Sequence, residues 1–375
     1  MPHPGVSRLV CTPDSGASDE HIPAMQLLSW SRVALVAAIF PAVALVAATF
    51  PAVASGRALS PTMVPDEVLV YRTADGWNNE IRHYQGDGPP VVLVHGLGAN
   101  HHNFDFRPEV SLARTLQEEG WDVWIPELRG DPGTTAPSRR ARRSYDFDDY
   151  VDQDLPAALD LIQDQTGARQ VHWVGHSMGG MLLYAALDRY PERVSAGVTV
   201  CSSAVFSEPS GIHRVVQRAH WLIEGRGRVP FRALANTTRV LGRANPVIRR
   251  VANRDNLDRP LLRGLARHAL NDLSLPLVAQ GSQWLHAGVL VDRAGEPFVV
   301  EVEVPVLVLG GAADQVIDAD DAATTCEALP ACTYQLLGTE GGMSTDYGHV
   351  DSLLGLSSAA EVYPVIAGFL RDQRT

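Results

Sequence analysis

Cysteine is scarce in this chain. There are four in 375 residues: Cys11, Cys201, Cys326 and Cys332. They do not have the paired spacing of a zinc ligand set, and no His-Glu-x-x-His motif occurs, so no metal is expected. Excess positive charge is also missing. The formal net charge is −12, and a nucleic-acid binder would carry a basic stripe or a basic balance, so that partner class is excluded. The one dense basic run, Arg139-Arg140-Ala141-Arg142-Arg143, reads as a solvated loop before a helix. A contact to anionic lipid head groups is the alternative. What remains is an ordinary globular composition, 45% hydrophobic and 20% charged, in a chain long enough to bury a sizeable core.

Charge is absent altogether from Val33 to Ser55, a run of Ala, Val, Leu, Phe and Pro. It holds a tandem repeat, Val33 to Ala42 and Val43 to Ala52, whose copies differ only at Ile39 and Thr49. Arg32 precedes the run and Ala52-Val53-Ala54 closes it with a small-x-small pattern, the layout of a secretory signal. The run is also long enough to span a bilayer. A cleaved signal and a retained anchor therefore both stand, with a buried helix as a third reading, and Met25 is a candidate start. Residues 1–54 are read as an N-terminal extension, 55–87 as a lead-in, and the protein as exported or anchored, with membrane association through the apolar segment. In an exported protein Cys326 and Cys332, flanking a Glu-Ala-Leu-Pro-Ala turn, could pair across a helix–strand junction or stay free. Cys201 ends an apolar strand and reads as a small buried hydrophobe.

From residue 88 onward strand-like and helix-like segments alternate. Strands are expected at Pro90–Val94, Trp121–Ile125, Val171–Val174, Val194–Cys201, Val304–Leu309 and Thr333–Leu337. Helices are expected at 112–119, 150–165 and 318–329, the second with Val151, Leu155, Ala158, Leu159 and Ile162 on one face. Such alternation gives an α/β domain, a mostly parallel sheet covered on both faces. The regularity breaks at 202–303, an Arg-rich, helix-leaning stretch between two core strands. It is read as a lid insertion. Phe206, Trp221, Leu222, Phe231, Trp284 and Leu285 are candidates to line an apolar substrate channel in it; the alternative is that they form the lid's own small core.

The most informative residues are Gly175-His176-Ser177-Met178-Gly179. They follow an apolar strand and open onto a helical pattern. G-x-S-x-G in that setting is a nucleophile elbow, a strained turn that lifts one hydroxyl to the sheet edge. A serine needs a base within hydrogen-bond reach and a carboxylate to orient that base. In the chain order Ser, acid, His, the acid is Asp314, just past a buried strand, with Asp318 or Asp320 as alternatives. The base is His349, in the loop after the next strand. All three follow the carboxyl ends of their strands and should meet at one edge. His176 is read as a packing residue. The oxyanion donors are the backbone N–H groups of Met178, directly after the serine, and of Leu97 in Val94-His95-Gly96-Leu97-Gly98. No metal or organic cofactor is implied.

Together these segments resemble the α/β-hydrolase superfamily from about residue 88 to the end. Within it the chain resembles the acid-lipase and polyhydroxyalkanoate-synthase-like branch. Val91 to Gly98, Pro126-Glu-Leu-Arg-Gly130, Phe147 to Val151, the elbow and Tyr347 to Asp351 carry the likeness, and Gln283-Trp284 through Gly288 resembles the acid-lipase lid signature. The synthases place a cysteine at the elbow; Ser177 here favours hydrolysis over polymerisation. The Arg129-Gly130 turn also departs from the family by running into Asp131-Pro-Gly-Thr-Thr135. The resemblance implies a serine hydrolase acting on a small-molecule or lipid ester. An acyltransferase or polyester-synthase-like enzyme on the same triad is the runner-up, and a non-catalytic binding protein on this fold is the rival of another class.

Overall fold

The central strands of the sheet are buried along their whole length, while those at its edges are only partly covered. The computed structural model describes residues 60–207, 227–232 and 248–374, all within one compact unit. The N-terminal extension, its apolar repeat, Cys11, Trp221 and Leu222 lie outside the described residues. The strands are β1 (Glu67–Arg72), β2 (Asn78–Tyr84), β3 (Pro90–Val94), β4 (Asp122–Pro126), β5 (Val171–His176), β6 (Val194–Val200), β7 (Val306–Gly311) and β8 (Cys332–Leu337). Thr134–Thr135 adds a ninth short strand beside β2. The order is β1-β2-β4-β3-β5-β6-β7-β8. β1 pairs antiparallel with β2 and β2 with β4, and every later pair is parallel.

Alternation along the strands divides the core in two. Val91 and Leu93 of β3 face one side, where they join Leu112 and Leu116 of α1 (Leu112–Glu118) and Ile366 and Leu370 of α7 (Ser358–Asp372). Val92 and Val94 face the other, with Leu155, Leu159 and Ile162 of α2 (Leu155–Thr166) and Leu182 and Leu183 of α3 (Met178–Arg189). Side chains two apart share a face, so a continuous apolar run is what a strand covered on both sides requires. The α/β expectation therefore holds, and the chain has an α/β-hydrolase fold.

Two boundaries differ from the sequence reading. The lead-in 55–87 is not separate from the sheet, because it contains the β1–β2 hairpin. Its pattern hides this: Val68 and Val70 are exposed while Tyr71 is buried, so no clean apolar alternation marks β1. The helix expected from Tyr150 is regular only from Leu155. Asp146 caps the preceding turn in a reciprocal pair with Asp149, and Tyr150–Asp154 is wound as a π-turn in which Leu155 N–H reaches Tyr150 C=O. Pro156 has no N–H for the next ladder bond, so the register changes there.

The stretch between β6 and β7 carries elements of its own outside the main sheet. Among its described residues are α4 (Arg259–His268) and α5 (Leu275–Ala287), each with proline in its first turn. A short antiparallel ladder joins Arg228–Val229 to Leu273–Ser274. β7 and β8 are connected by α6 (Ala319–Ala328), and Cys326 on α6 is joined to Cys332 on β8 by a disulfide. Cys201 is buried and free.

Candidate active site

Ser177 lies between β5 and α3 with φ 55° and ψ −121°. Non-glycine residues rarely adopt such a backbone, and strain of this kind persists only where the surroundings over-determine it. Here they do. Ser177 N–H donates to Val200 C=O at 2.9 Å, and Ser177 C=O accepts from Gly180 and Met181. A Cβ on Gly175 would collide with the Gly179 carbonyl, and one on Gly179 with the Val94 carbonyl. The two glycines of the motif are thus where strand, turn and helix pass too closely for side chains.

The Ser177 hydroxyl meets His349. Ser177 Oγ is 2.9 Å from His349 Nε2, and His349 Nδ1 is 2.7 Å from Asp314 Oδ2. The other Asp314 oxygen accepts from the N–H groups of Val316 and Ile317 at 2.7 and 3.2 Å, so the carboxylate cannot turn away. Asp318 instead caps α6 through Asp320 N–H. The His349 carbonyl accepts from Ser352 Oγ and faces His176 Nε2, both at 2.8 Å. Hydrogen bonds thus hold the imidazole at both ends, with Ser177 and His349 each only 8% exposed. Such a file of hydroxyl, imidazole and carboxylate can pass the hydroxyl proton to the ring as the oxygen attacks.

His176 sits behind this file, fully buried. Burial, reinforced by the neighbouring His349 ring, pushes its imidazole down to about 3, so it stays neutral. His172 and His176 are four apart, but on strand β5 that spacing separates Cα atoms by roughly 13 Å, far beyond a shared metal. Among the described residues, His95, Glu127 and Asp131 converge as a possible ligand set. They form an ion-paired cluster instead. His95 Nε2 is 2.8 Å from Asp131 Oδ2 and 3.9 Å from Glu127 Oε2, while Glu127 Oε1 holds His101 Nδ1 at 2.5 Å and Arg82 at 2.8 Å. His95, His101 and Arg82 already engage the carboxylates that a cation would need.

The loop after β3 packs against the elbow. A Cβ on Gly96 would stand 3.0 Å from Ser177 Cβ, and Leu97 is the next residue of the chain. Among the described residues neither the Leu97 nor the Met178 N–H is hydrogen-bonded. Sequence reasoning missed the residues that shape this loop. Asn103 Oδ1 accepts from Gly96 N–H and lies 2.9 Å from His176 Nδ1; Asn271, far along the chain, donates to Ala99 C=O at 2.6 Å. Neither asparagine stands in a motif, and both contacts are long-range. The departing turn at Asp131 also has a role. Arg129 is buried against Asp154 and Asp75, below the face of Trp77, and this lets Gly130 turn at φ 95° and bring Asp131 under His95.

The apolar residues proposed to line a channel divide differently. Phe206 and Trp284 are 8% and 7% exposed and stack on each other at 6.4 Å, with Phe147 edge-on to Trp284. Trp284 Nε1 donates to Val291 C=O, and Leu285 packs against the same cluster. Phe206 and Trp284 are enclosed in the core on that face of the sheet, and Leu285 is half-buried against it. Trp221 lies outside the described residues. Phe231 and Leu273 instead stand over Gly98 of the loop. A surface hollow of about 1030 Å³ lined by His83, Asp122, Gln170 and Ser195 opens at the amino ends of the strands, the end opposite Ser177.

Comparison with known proteins agrees with this architecture. Residues 89–351 match the family described as alpha/beta hydrolase fold. Gastric triacylglycerol lipase of Bos taurus is 33% identical over 128 residues, 32% of this chain and 32% of its own length. Lysosomal acid lipase/cholesteryl ester hydrolase of Homo sapiens is 32% identical over 143 residues, 34% of this chain and 36% of its own. The chain thus spans about a third of the length of the curated relatives it matches. Among solved structures, an esterase from Exiguobacterium antarcticum has a TM-score of 0.55 at 19% identity, covering 80% of this chain and 98% of its own. With the sheet order, the strained turn and the matched span on one side and these likenesses on the other, the chain belongs to the alpha/beta hydrolase fold family.

Proposed function

We propose that this protein is a serine hydrolase that cleaves carboxylic esters through an acyl-enzyme. The observation that carries the reading is the file Ser177 Oγ, His349, Asp314 at 2.9 and 2.7 Å, set on a turn with φ 55°. Ser177 Oγ attacks the ester carbonyl as its proton passes to His349 Nε2. The oxyanion forms against the N–H groups of Leu97 and Met178. The collapsing intermediate expels the alkoxide, which takes the proton from Nε2. A water then gives a proton to Nε2, attacks the acyl carbon, and the serine leaves with that proton restored. Asp314 holds the ring in the productive tautomer.

The lipase names of the relatives favour esters with an apolar acyl part, and residues 202–303, between β6 and β7, are read as the lid over such a substrate. Export is supported by the layout of residues 33–54 and by the Cys326–Cys332 disulfide, since disulfides persist in oxidising compartments. Among the described residues, no helix is long and apolar enough to cross a membrane.

The test is labelling with a fluorophosphonate and hydrolysis of a chain-length series of p-nitrophenyl esters by protein lacking residues 1–54. Wild type should label and turn over. Ser177→Ala should not label and should lose at least about 10⁴-fold in kcat while keeping its thermal midpoint. Full-rate turnover by Ser177→Ala would refute the scheme. Preference for long chains supports the lipase-like reading; turnover of acetate or butyrate alone makes it a small-ester esterase.

A further inference from the structure

The donor of one oxyanion bond lies in a loop with no regular structure, so something must hold its peptide planes. The decisive plane is the one shared by Gly96 C=O and Leu97 N–H, which point in opposite directions because the peptide is trans and planar. Gly96 C=O is gripped twice, by Ala99 N–H at 3.1 Å and by His95 Nδ1 at 3.1 Å. His95 is in turn fixed through Nε2 by Asp131 Oδ2. The other oxygen of Asp131 is held by Asn271 Nδ2 at 2.8 Å.

Asn271 belongs to the inserted segment, between α4 and the strand Leu273–Ser274, and is 4% exposed. Its amide is directed almost wholly at this loop. The backbone N–H donates to Gly98 C=O at 2.8 Å, and Nδ2 also donates to Ala99 C=O at 2.6 Å. Oδ1 accepts from Asn100 Nδ2 at 3.3 Å, whose other bond goes to His268 C=O at the end of α4. One uncharged side chain therefore joins the inserted segment, the loop after β3 and the Asp131 turn. Buried amides with all partners in place fix geometry; losing one partner strands the rest.

We propose that Asn271 is a positioning residue through which the inserted segment sets the direction of the Leu97 N–H, by way of Ala99, Asp131 and His95. It touches no substrate. The segment between β6 and β7 thereby also tunes the strength of the oxyanion bond, so that segment and the chemistry are mechanically one unit. This rests on the hydrolase reading above.

The experiment is steady-state hydrolysis of p-nitrophenyl butyrate by wild type and Asn271→Ala, with inhibition by an alkylboronic acid, whose tetrahedral adduct places an oxygen between the two donors. Wild type must turn over; if it does not, the hydrolase reading fails, not this one alone. With wild type active, Asn271→Ala should lose about 10- to 100-fold in kcat, a fraction of the loss for deleting a donor outright, with KM within threefold. Boronate affinity should fall in the same proportion. A kcat within twofold of wild type overturns the proposal, and so does a lowered kcat with unchanged boronate affinity. Should the variant fail to fold, hydrogen exchange on wild type decides. Coupling is reciprocal, so phosphonylation of Ser177 should slow exchange of the Asn271 amide severalfold, and unchanged exchange there overturns it.

Discussion

Gly179 shows how closely the elbow is built. Its missing Cβ leaves room for the Val94 carbonyl, and no flexible side chain stands there to give way. Gly179→Ala is expected to destabilise by about 3 kcal/mol or more, since overlap with backbone is among the few causes of large single-residue losses. Gly167, at φ 70° with open space around it, is the control; alanine there should cost about 1 kcal/mol. Urea unfolding of the two variants distinguishes collision from backbone preference, and equal losses would contradict this account. The elbow was legible in the sequence because its reasons are local: strand, turn and helix within twenty residues. Asp314 and His349 were legible by chain order, each one loop past a recognisable strand. Asn103 and Asn271 were not, because each acts on a partner distant in the chain through an uncharged amide that no spacing announces. Phe206 and Trp284 illustrate the opposite error. Aromatic residues in an insertion look like a substrate surface until the partners that enclose them are known.

At the scale of elements, the loop after β3 and the turn after β4 are joined by charge. Burial alone would lower the His95 imidazole, but the Asp131 carboxylate beside it, with Glu127 behind, outweighs burial and holds it up at about 9. Nδ1 then donates to Gly96 C=O, and Nε2 faces Asp131 as an ion pair at 2.8 Å. The sign follows from linkage. A histidine with its folded pKa raised contributes stability fully below the unfolded value of about 6.5, and loses it as pH rises through about 9. The groups facing the pair are Glu127, His101 and Arg82, and Asn271 from the inserted segment. Replacement His95→Gln should remove this alkaline loss. Wild type is expected to lose about 3 kcal/mol more than the variant between pH 7 and pH 10, measured as unfolding free energy at each pH; parallel curves would show that the pair does not titrate as described. The strands of the parallel sheet were readable from continuous apolar runs. The β1–β2 hairpin was not, because β1 lies at the sheet edge and exposes Val68 and Val70.

For the molecule as a whole, the disulfide closes a loop with a sequence separation of only 6. In the chain-entropy picture so short a loop contributes about 2 kcal/mol. It ties the last turn of α6 to the first residue of β8, at the amino ends of the strands and away from the loops that carry Asp314 and His349. Reduction should therefore lower the thermal midpoint by a few degrees and leave ester turnover at 25 °C unchanged; scanning with and without reductant, beside an activity assay, checks both. Loss of activity on reduction at that temperature would mean that the bond supports the site and not only the fold.

The strained serine has one more consequence. It ends a strand and begins α3, so the Met178 N–H is the first of a helix of twelve residues. The aligned peptide dipoles of such a helix put roughly half a positive charge at its amino end. That field is fixed in the fold and acts on any anion in reach, whether a passing oxyanion or the carboxylate released when the acyl-enzyme breaks down. On the proposed mechanism, the feature that eases bond breaking would also retain the acid product, and turnover would depend on how readily that anion leaves.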